Sequence, residues 1–473
     1  MASIGSEHAS RSRLFWRPSE RISERFFWRS PLEALRVLFA GGSDLSVARR
    51  LAGTAFLIRV VSALVAFLSQ IALARWLGGF QFGIYVYVWT WILLLGGMVD
   101  LGLGSAAQRF IPEYTEHKNF ALLRGFLRGS RLLATIIATV AAGAAAAIVT
   151  ALTPHIGPAT IVPLYLACAA LPICGLSQVQ SGIARSYDWV NLGLSPAYVL
   201  RQIALLALLG LAFALGAPMG AVTATLIAVV TLWAVTLGQL VVLDRRLSGV
   251  VEAGPKAYAV RSWLATSAPI FVVEAFYLLL TYADVIVLQF FRPPNEVGIY
   301  YAAAKTMALV AFIYFSVAQT LAHKFAEYHV TGDRKRLADF LAVAVRMTFW
   351  PSLGSVVVLL AVGRPLLRMF GGGFVAGYYL MFIIAIGLLA RASVGPAERL
   401  LNMLGERRSC ALIYAGSFAL NLVLCLLLIP RMGISGAAWA GAITLVCESA
   451  SLFFVAKYRL GMHCFIFGGR EGR

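Results

Sequence analysis

Twelve long apolar stretches, separated by short polar ones, run from residue 51 to residue 457. Each holds the roughly 20 residues that a helix rising about 1.5 Å per residue needs to cross a hydrocarbon core about 30 Å thick. Helices are the natural way to cross, because lipid offers no partner to an unpaired N–H or C=O. The pattern predicts an all-α integral membrane protein of about twelve transmembrane helices, with a polar segment at 1–50 and a short tail at 458–473.

The polar stretches between the runs are unequal. With the N-terminus and even-numbered loops placed on one side, that side holds 32 of the 40 Lys and Arg residues and the other side five. Basic residues near helix ends are retained on the cytoplasmic side, so both termini are expected there. Arg185 and Arg201 are assigned to one inner loop in this count. Arg59, Lys305 and Arg391 fall inside runs and belong to neither side.

The pattern also repeats at a spacing of about 215 residues. Phe82-Gly83-Ile84-Tyr85 matches Val297-Gly298-Ile299-Tyr300, Glu113-Tyr114 matches Glu327-Tyr328, and Gly220-Ala221 matches Gly436-Ala437. Six spans per half is an even number, so both halves sit the same way up. The expectation is two pseudo-two-fold-related six-helix lobes, 51–243 and 263–457, joined by a cytoplasmic linker at 244–262. Repeats of this kind place their binding sites at the repeat interface.

Composition sharpens the class. Hydrophobic residues make up 60% and charged ones 13%, against roughly 25% charged in a soluble domain, so lipid must cover most of the surface. The six cysteines form no CxxC pair or Cys/His spacing and are expected to be inert packing residues. No Ser/His/Asp set, metal spacing or phosphate-cradling motif is present, which argues against an enzyme. The net charge of +19 is first a topology signal, not one for nucleic acid.

Three segments carry a resemblance. Ala74-Arg75-Trp76-Leu77-Gly78-Gly79-Phe80-Gln81-Phe82-Gly83-Ile84-Tyr85 resembles the segment after the first helix of bacterial polysaccharide flippases, the Wzx-like branch of the multidrug/oligosaccharidyl-lipid/polysaccharide exporter superfamily. Ala283-Asp284-Val285-Ile286-Val287-Leu288 with Glu296-Val297-Gly298-Ile299-Tyr300 is similar to its second-half counterpart, and Ile429-Pro430-Arg431-Met432-Gly433 to its last helix junction. The resemblance implies a two-lobed alternating-access transporter that moves a polyprenyl-diphosphate-linked oligosaccharide across the plasma membrane. Its partners would be that cargo, membrane lipid and other polysaccharide-assembly proteins. No cofactor is expected beyond a coupling proton or sodium ion.

Such a cargo joins a hydrophilic glycan to an anionic diphosphate, so its cavity needs cations and hydrogen-bond donors. An ionisable group within a bilayer costs about 2.5–3.5 kcal/mol on insertion scales and normally faces a cavity or a partner. Arg59, with Ser62, Ala66 and Ser69, shares a helix face in the first run; 215 residues on, Glu274, Tyr277, Thr281 and Asp284 repeat that spacing in the seventh. Lys305 and Gln319 lie on the eighth run and Arg391 on the tenth. Arg59, Lys305, Arg391, Glu274, Tyr277 and Gln319 are the candidate substrate-binding residues, and Asp100, Asp284 and Glu448 the candidates for ion coupling. Arg59 and Glu274 admit a second reading, as an ion pair stitching the lobes, and Lys305 as a residue reaching for the surface. Glu398 is expected to be a solvated boundary charge.

The segment 1–50 is of another kind. Arg13-Leu14-Phe15-Trp16-Arg17 recurs as Arg25-Phe26-Phe27-Trp28-Arg29, which suits either an amphipathic segment on an anionic leaflet or an unstructured tail. Two functions compete with the flippase reading. A multidrug or cation antiporter would share the fold but favour acids in its lumen, and a polysaccharide polymerase would carry a large extramembrane loop.

Overall fold

The computed structural model describes residues 44–314 and 334–466, with side chains described for 61–314, 336–406 and 408–466. Two compact units divide the chain at Gly53/Thr54, and the membrane spans follow in the second. The basic–aromatic repeats of the N-terminal segment, the Arg59 side chain and Gln319 lie outside the described residues.

The described chain is nearly all helix. Helix α1 (Asp44–Gly96) is broken at Gly78, where φ 74° and ψ 165° suit only glycine, so it is two arms that need no loop between them. The first lobe continues with α2 (Leu103–Glu116), α3 (Phe120–Leu152), α4 (Pro158–Ser186), α5 (Val190–Ser195), α6 (Arg201–Ala214) and α7 (Ala221–Ser248). The second holds α8 (Val260–Phe291), α9 (Pro294–Met307), α10 (Arg334–Ala361), α11 (Gly363–Phe370), α12 (Tyr378–Ser393), α13 (Ala397–Met403), α14 (Arg407–Met432) and α15 (Ile434–Leu460). Among the described residues ten helices are long and apolar enough to cross a membrane. Separating the two arms of α1 raises that number to eleven, and the eighth run of the sequence pattern, which begins in α9, lies partly outside the described residues.

Small residues let these helices approach closely, as apolar packing in lipid requires. In the first lobe α4 is central, packed on α2, α3 and α7. A Cβ on Gly182 of α4 would fall 2.0 Å from the Gly104 carbonyl oxygen of α2. In the second lobe α14, α15, α12 and α8 pack together, and a Cβ on Gly387 would fall 3.0 Å from Cα of Ala442.

The two copies of the internal repeat meet in space. A Cβ on Gly83 would lie 1.7 Å from the Pro294 carbonyl oxygen, and one on Gly298 would lie 3.2 Å from that of Gly79. Phe82 packs edge-on against Tyr301 and Phe374. Gly83 and Gly298 thus mark one place where the lobes touch.

Candidate functional site

Two polar regions stand out, one inside the second lobe and one between the lobes. The first is a cavity of about 310 Å³ whose lining includes Tyr277, Asp284, Tyr300, Arg391, Glu398 and Glu448. Helix α8 supplies Tyr277 and Asp284, whose 3-4-3 spacing from Glu274 keeps them on one stripe. At one end, Asp284 accepts hydrogen bonds from the Tyr300 hydroxyl and, at 2.8 Å, from the Val285 N–H. At the other, Arg391 is held by carboxylates of two elements: Nη2 lies 3.0 Å from Glu398 Oε2, and Nη1 lies 3.4 Å from Glu448 Oε1. The Tyr314 hydroxyl accepts from Arg391 Nη2 at 3.0 Å, and the guanidinium sits 4.8 Å over the Tyr314 ring. Between these ends Asn421 donates to Thr444 Oγ1 at 3.4 Å.

The chain from α9 onward connects the two ends, with Tyr300 in α9 and Tyr314 beyond its end. Between them the backbone tightens to i→i+3 hydrogen bonds, Leu309 N–H to Thr306 through Ile313 N–H to Val310. Short stretches of this geometry mark hinges.

The second region faces the space between the lobes. Arg201 opens α6 just after a π-helical turn at Pro196–Leu200. That turn follows from Pro196, which lacks the N–H an α-helix would use. The Arg201 guanidinium lies 5.3 Å over the Trp89 ring of α1, and Trp89 stacks on Tyr85. From the other lobe, Lys305 Nζ lies 5.0 Å over the Tyr301 ring. Tyr282 of α8 is within electrostatic reach of both cations. Neither has a carboxylate within ion-pair distance among the described residues, although Lys305 feels Asp284 at longer range.

These placements revise several expectations. Arg391 is held between two carboxylates of its own lobe. Glu398 is not a solvated boundary charge: its side chain is 19% exposed and ion-paired. Arg201 is no loop residue but stands twelfth in the 25-residue span Val190–Ala214. Reading it with the loop overlooked the plainest available signal, an arginine well inside an apolar run. Asp100 is occupied as a cap, its oxygens accepting from Gly102 N–H at 3.3 Å and Gly104 N–H at 3.0 Å at the start of α2. Glu274 accepts a 2.6 Å hydrogen bond from Ser105 of the other lobe. It therefore does join the lobes, through a serine.

With this geometry in view, the sequence relationships can be placed. The profile of the family described as polysaccharide biosynthesis protein matches residues 51–326, more than half of the chain. The chain belongs to this polysaccharide biosynthesis protein family. No curated protein matches the sequence. Among solved structures, the lipid II flippase MurJ in an inward closed conformation is 15% identical, with a TM-score of 0.64 over 84% of this chain and 87% of that one. An inward-facing multidrug resistance MATE transporter of the MOP superfamily is 14% identical, with a TM-score of 0.66 over 92% of this chain and 98% of that one. A MOP-superfamily transporter from Pyrococcus furiosus, described as having a binding pocket of reverse polarity, is 14% identical with a TM-score of 0.63, over 87% and 96%. The family member described here therefore has the two-lobed fold of MOP-superfamily transporters.

In this polysaccharide biosynthesis protein the lobes touch at two further places. On the side of α11, Arg75 Nε donates to the Met369 carbonyl at 2.7 Å and Nη2 to that of Arg368 at 3.0 Å. These are last-turn carbonyls of α11, groups that lack intrahelical partners and attract a cation. Phe67 packs edge-on against Phe370 beside them. On the basic side, Trp263 Nε1 donates to the Tyr114 hydroxyl at 3.0 Å and its ring meets Phe126. Tyr198 and Tyr277 are exposed.

Proposed function

We propose that this protein is a flippase that carries a polyprenyl-diphosphate-linked oligosaccharide from the cytoplasmic to the outer leaflet of a bacterial inner membrane. The product would feed lipopolysaccharide, capsule or exopolysaccharide synthesis, and the lobes, 51–243 and 263–457, would rock about the lumen in alternating access. One observation carries the reading. Arg201 and Lys305 stand on facing lobes within apolar spans, each on an aromatic ring and neither in an ion pair among the described residues.

A cation–π contact offers about 0.5–2 kcal/mol, less than the roughly 2.5–3.5 kcal/mol cost of placing an arginine or lysine in a bilayer. An anionic ligand in the lumen would supply the rest. A diphosphate suits a guanidinium fork from one side and a point-charge ammonium from the other. Membership in the polysaccharide biosynthesis family and the fold shared with a lipid II flippase support the same cargo class. With Arg201 removed from the loops, the 31-to-5 distribution of basic residues supports cytoplasmic termini.

The fold is equally that of drug exporters, whose cationic substrates favour acidic walls; the unpaired cations are the feature that separates the two readings. Deleting the gene decides between them. The flippase reading expects lipid-linked oligosaccharide to accumulate on the cytoplasmic leaflet. Unchanged glycan export together with new drug sensitivity would favour an antiporter.

A further inference from the structure

The cluster at the inner end of the second-lobe cavity is built around an imbalance of charge. One arginine, Arg391, serves two carboxylates, Glu398 and Glu448. Their side chains are 12%, 19% and 4% exposed. With every group ionised the cluster carries one net negative charge, which burial disfavours. Arg391 Nη1, the nitrogen facing Glu448, is itself buried and makes no hydrogen bond. The two pairings therefore differ: Glu398 is hydrogen-bonded to Arg391, and Glu448 is only near it.

We infer that Glu398, Arg391 and Glu448 form a proton-binding site that couples transport to the proton gradient. Uptake is a plain protonation: an O–H bond of a hydronium ion breaks, leaving water, as an O–H bond forms on the Glu448 carboxylate, and the cluster becomes neutral. Tyr277 provides the way in, because it lines the cavity and is 44% exposed.

Every neighbouring element contributes to the surroundings. Tyr277 faces the cluster from α8, Tyr314 from the stretch after α9, Arg399 from α13, and Cys410 and Tyr414 from α14, with Glu406 beside Cys410. None supplies a second buried cation close enough to pair with Glu448 among the described residues. Arg399 is within electrostatic reach of Tyr314.

The link to cargo is α9. Tyr314 holds the cluster, Tyr300 holds Asp284, Lys305 lies between them over Tyr301, and the tightened turn separates Lys305 from Tyr314. A change of charge at Glu448 loosens Arg391 from Tyr314 and moves the helix that presents Lys305 to the lumen.

This inference rests on the transporter reading, but proton binding and its effect on the lobes are measurable without cargo. Purified full-length protein, with exposed Cys447 replaced by serine and spin labels at positions 80 and 373, is titrated across pH. Infrared difference spectra report the carbonyl stretch of a protonated carboxylic acid, and pulsed electron resonance reports the lobe-to-lobe distance. The expectation is a titrating carboxylic acid band and a pH-dependent distance, both lost in Glu448→Gln. Glu398→Gln, which leaves one neutral Glu448–Arg391 pair, should lose them as well, so a folding failure of either variant leaves the other to decide. An unchanged band or an unchanged distance response in a folded variant would overturn the assignment. Loss of both with glycan export intact would uphold the site and count against the proposed cargo.

Discussion

Arg201 and Arg391 are arginines within apolar spans of one chain, and their surroundings give them opposite roles. Arg391 has two carboxylates and a tyrosine hydroxyl; among the described residues Arg201 has the Trp89 ring and no carboxylate. Arg391→Ala strands two carboxylates, and breaking a buried pair costs about 3–5 kcal/mol. That variant should express poorly or melt earlier in detergent, as seen by size-exclusion chromatography and thermal scanning. Arg201→Ala leaves no acid stranded and should express like the parent, yet lose most glycan export, while Arg201→Lys should keep a part of it because the charge remains and the fork is lost. Wild-type export by Arg201→Ala would remove the residue from cargo binding. At this scale the sequence exposes the type of residue but not its partner. Arg391 and Lys305 are legible as ionisable groups inside apolar runs. That Arg391 meets Glu448, 57 positions away on another helix, follows only from packing. Glu398 misleads for the same reason, since a residue at the end of a run looks solvated until α13 folds it back.

Elements differ in how plainly the sequence shows them. Runs of apolar residues mark the spans, and Asn119 caps α3 through Leu122 N–H at 3.3 Å, as its residue type suggests. The tightened stretch after α9 and the π turn before Arg201 have weaker signals, because both depend on neighbouring helices more than on local propensity. Glycine is the residue whose role is easiest to test here. Gly182→Ala would place a methyl 2.0 Å from the Gly104 carbonyl oxygen, and overpacking of this kind costs about 1–3 kcal/mol. The variant should therefore lower the melting temperature of the protein in detergent. Gly238→Ala is the control, since nothing lies within 4 Å of its added Cβ. Equal melting temperatures for the two variants would mean that α4 and α2 are not packed as described.

The whole molecule was legible as two copies of one pattern, because each copy must present the same glycines where the lobes meet. Gly83 and Gly298 sit in matching tetrapeptides and do meet across the lobes. What the pattern could not convey is where polarity collects, since the second-lobe cavity joins seven helices spread along the sequence. Orientation is a prediction at this scale. A cysteine at Ser248 should be protected from a membrane-impermeant thiol reagent in intact cells, and one at Gly372 should react; the reverse pattern would invert the protein. The central claim, that paired cations on facing lobes carry an anionic lipid-linked glycan, is most directly tested in proteoliposomes. A fluorescent polyprenyl-diphosphate oligosaccharide is placed in the membrane and its arrival in the other leaflet is read by a leaflet-restricted quencher. The account predicts transfer by the wild-type protein that falls at least about tenfold in Arg201→Ala and in Lys305→Ala, each lost diphosphate contact being worth roughly 1.5–3 kcal/mol. Transfer by both variants at the wild-type rate would contradict it.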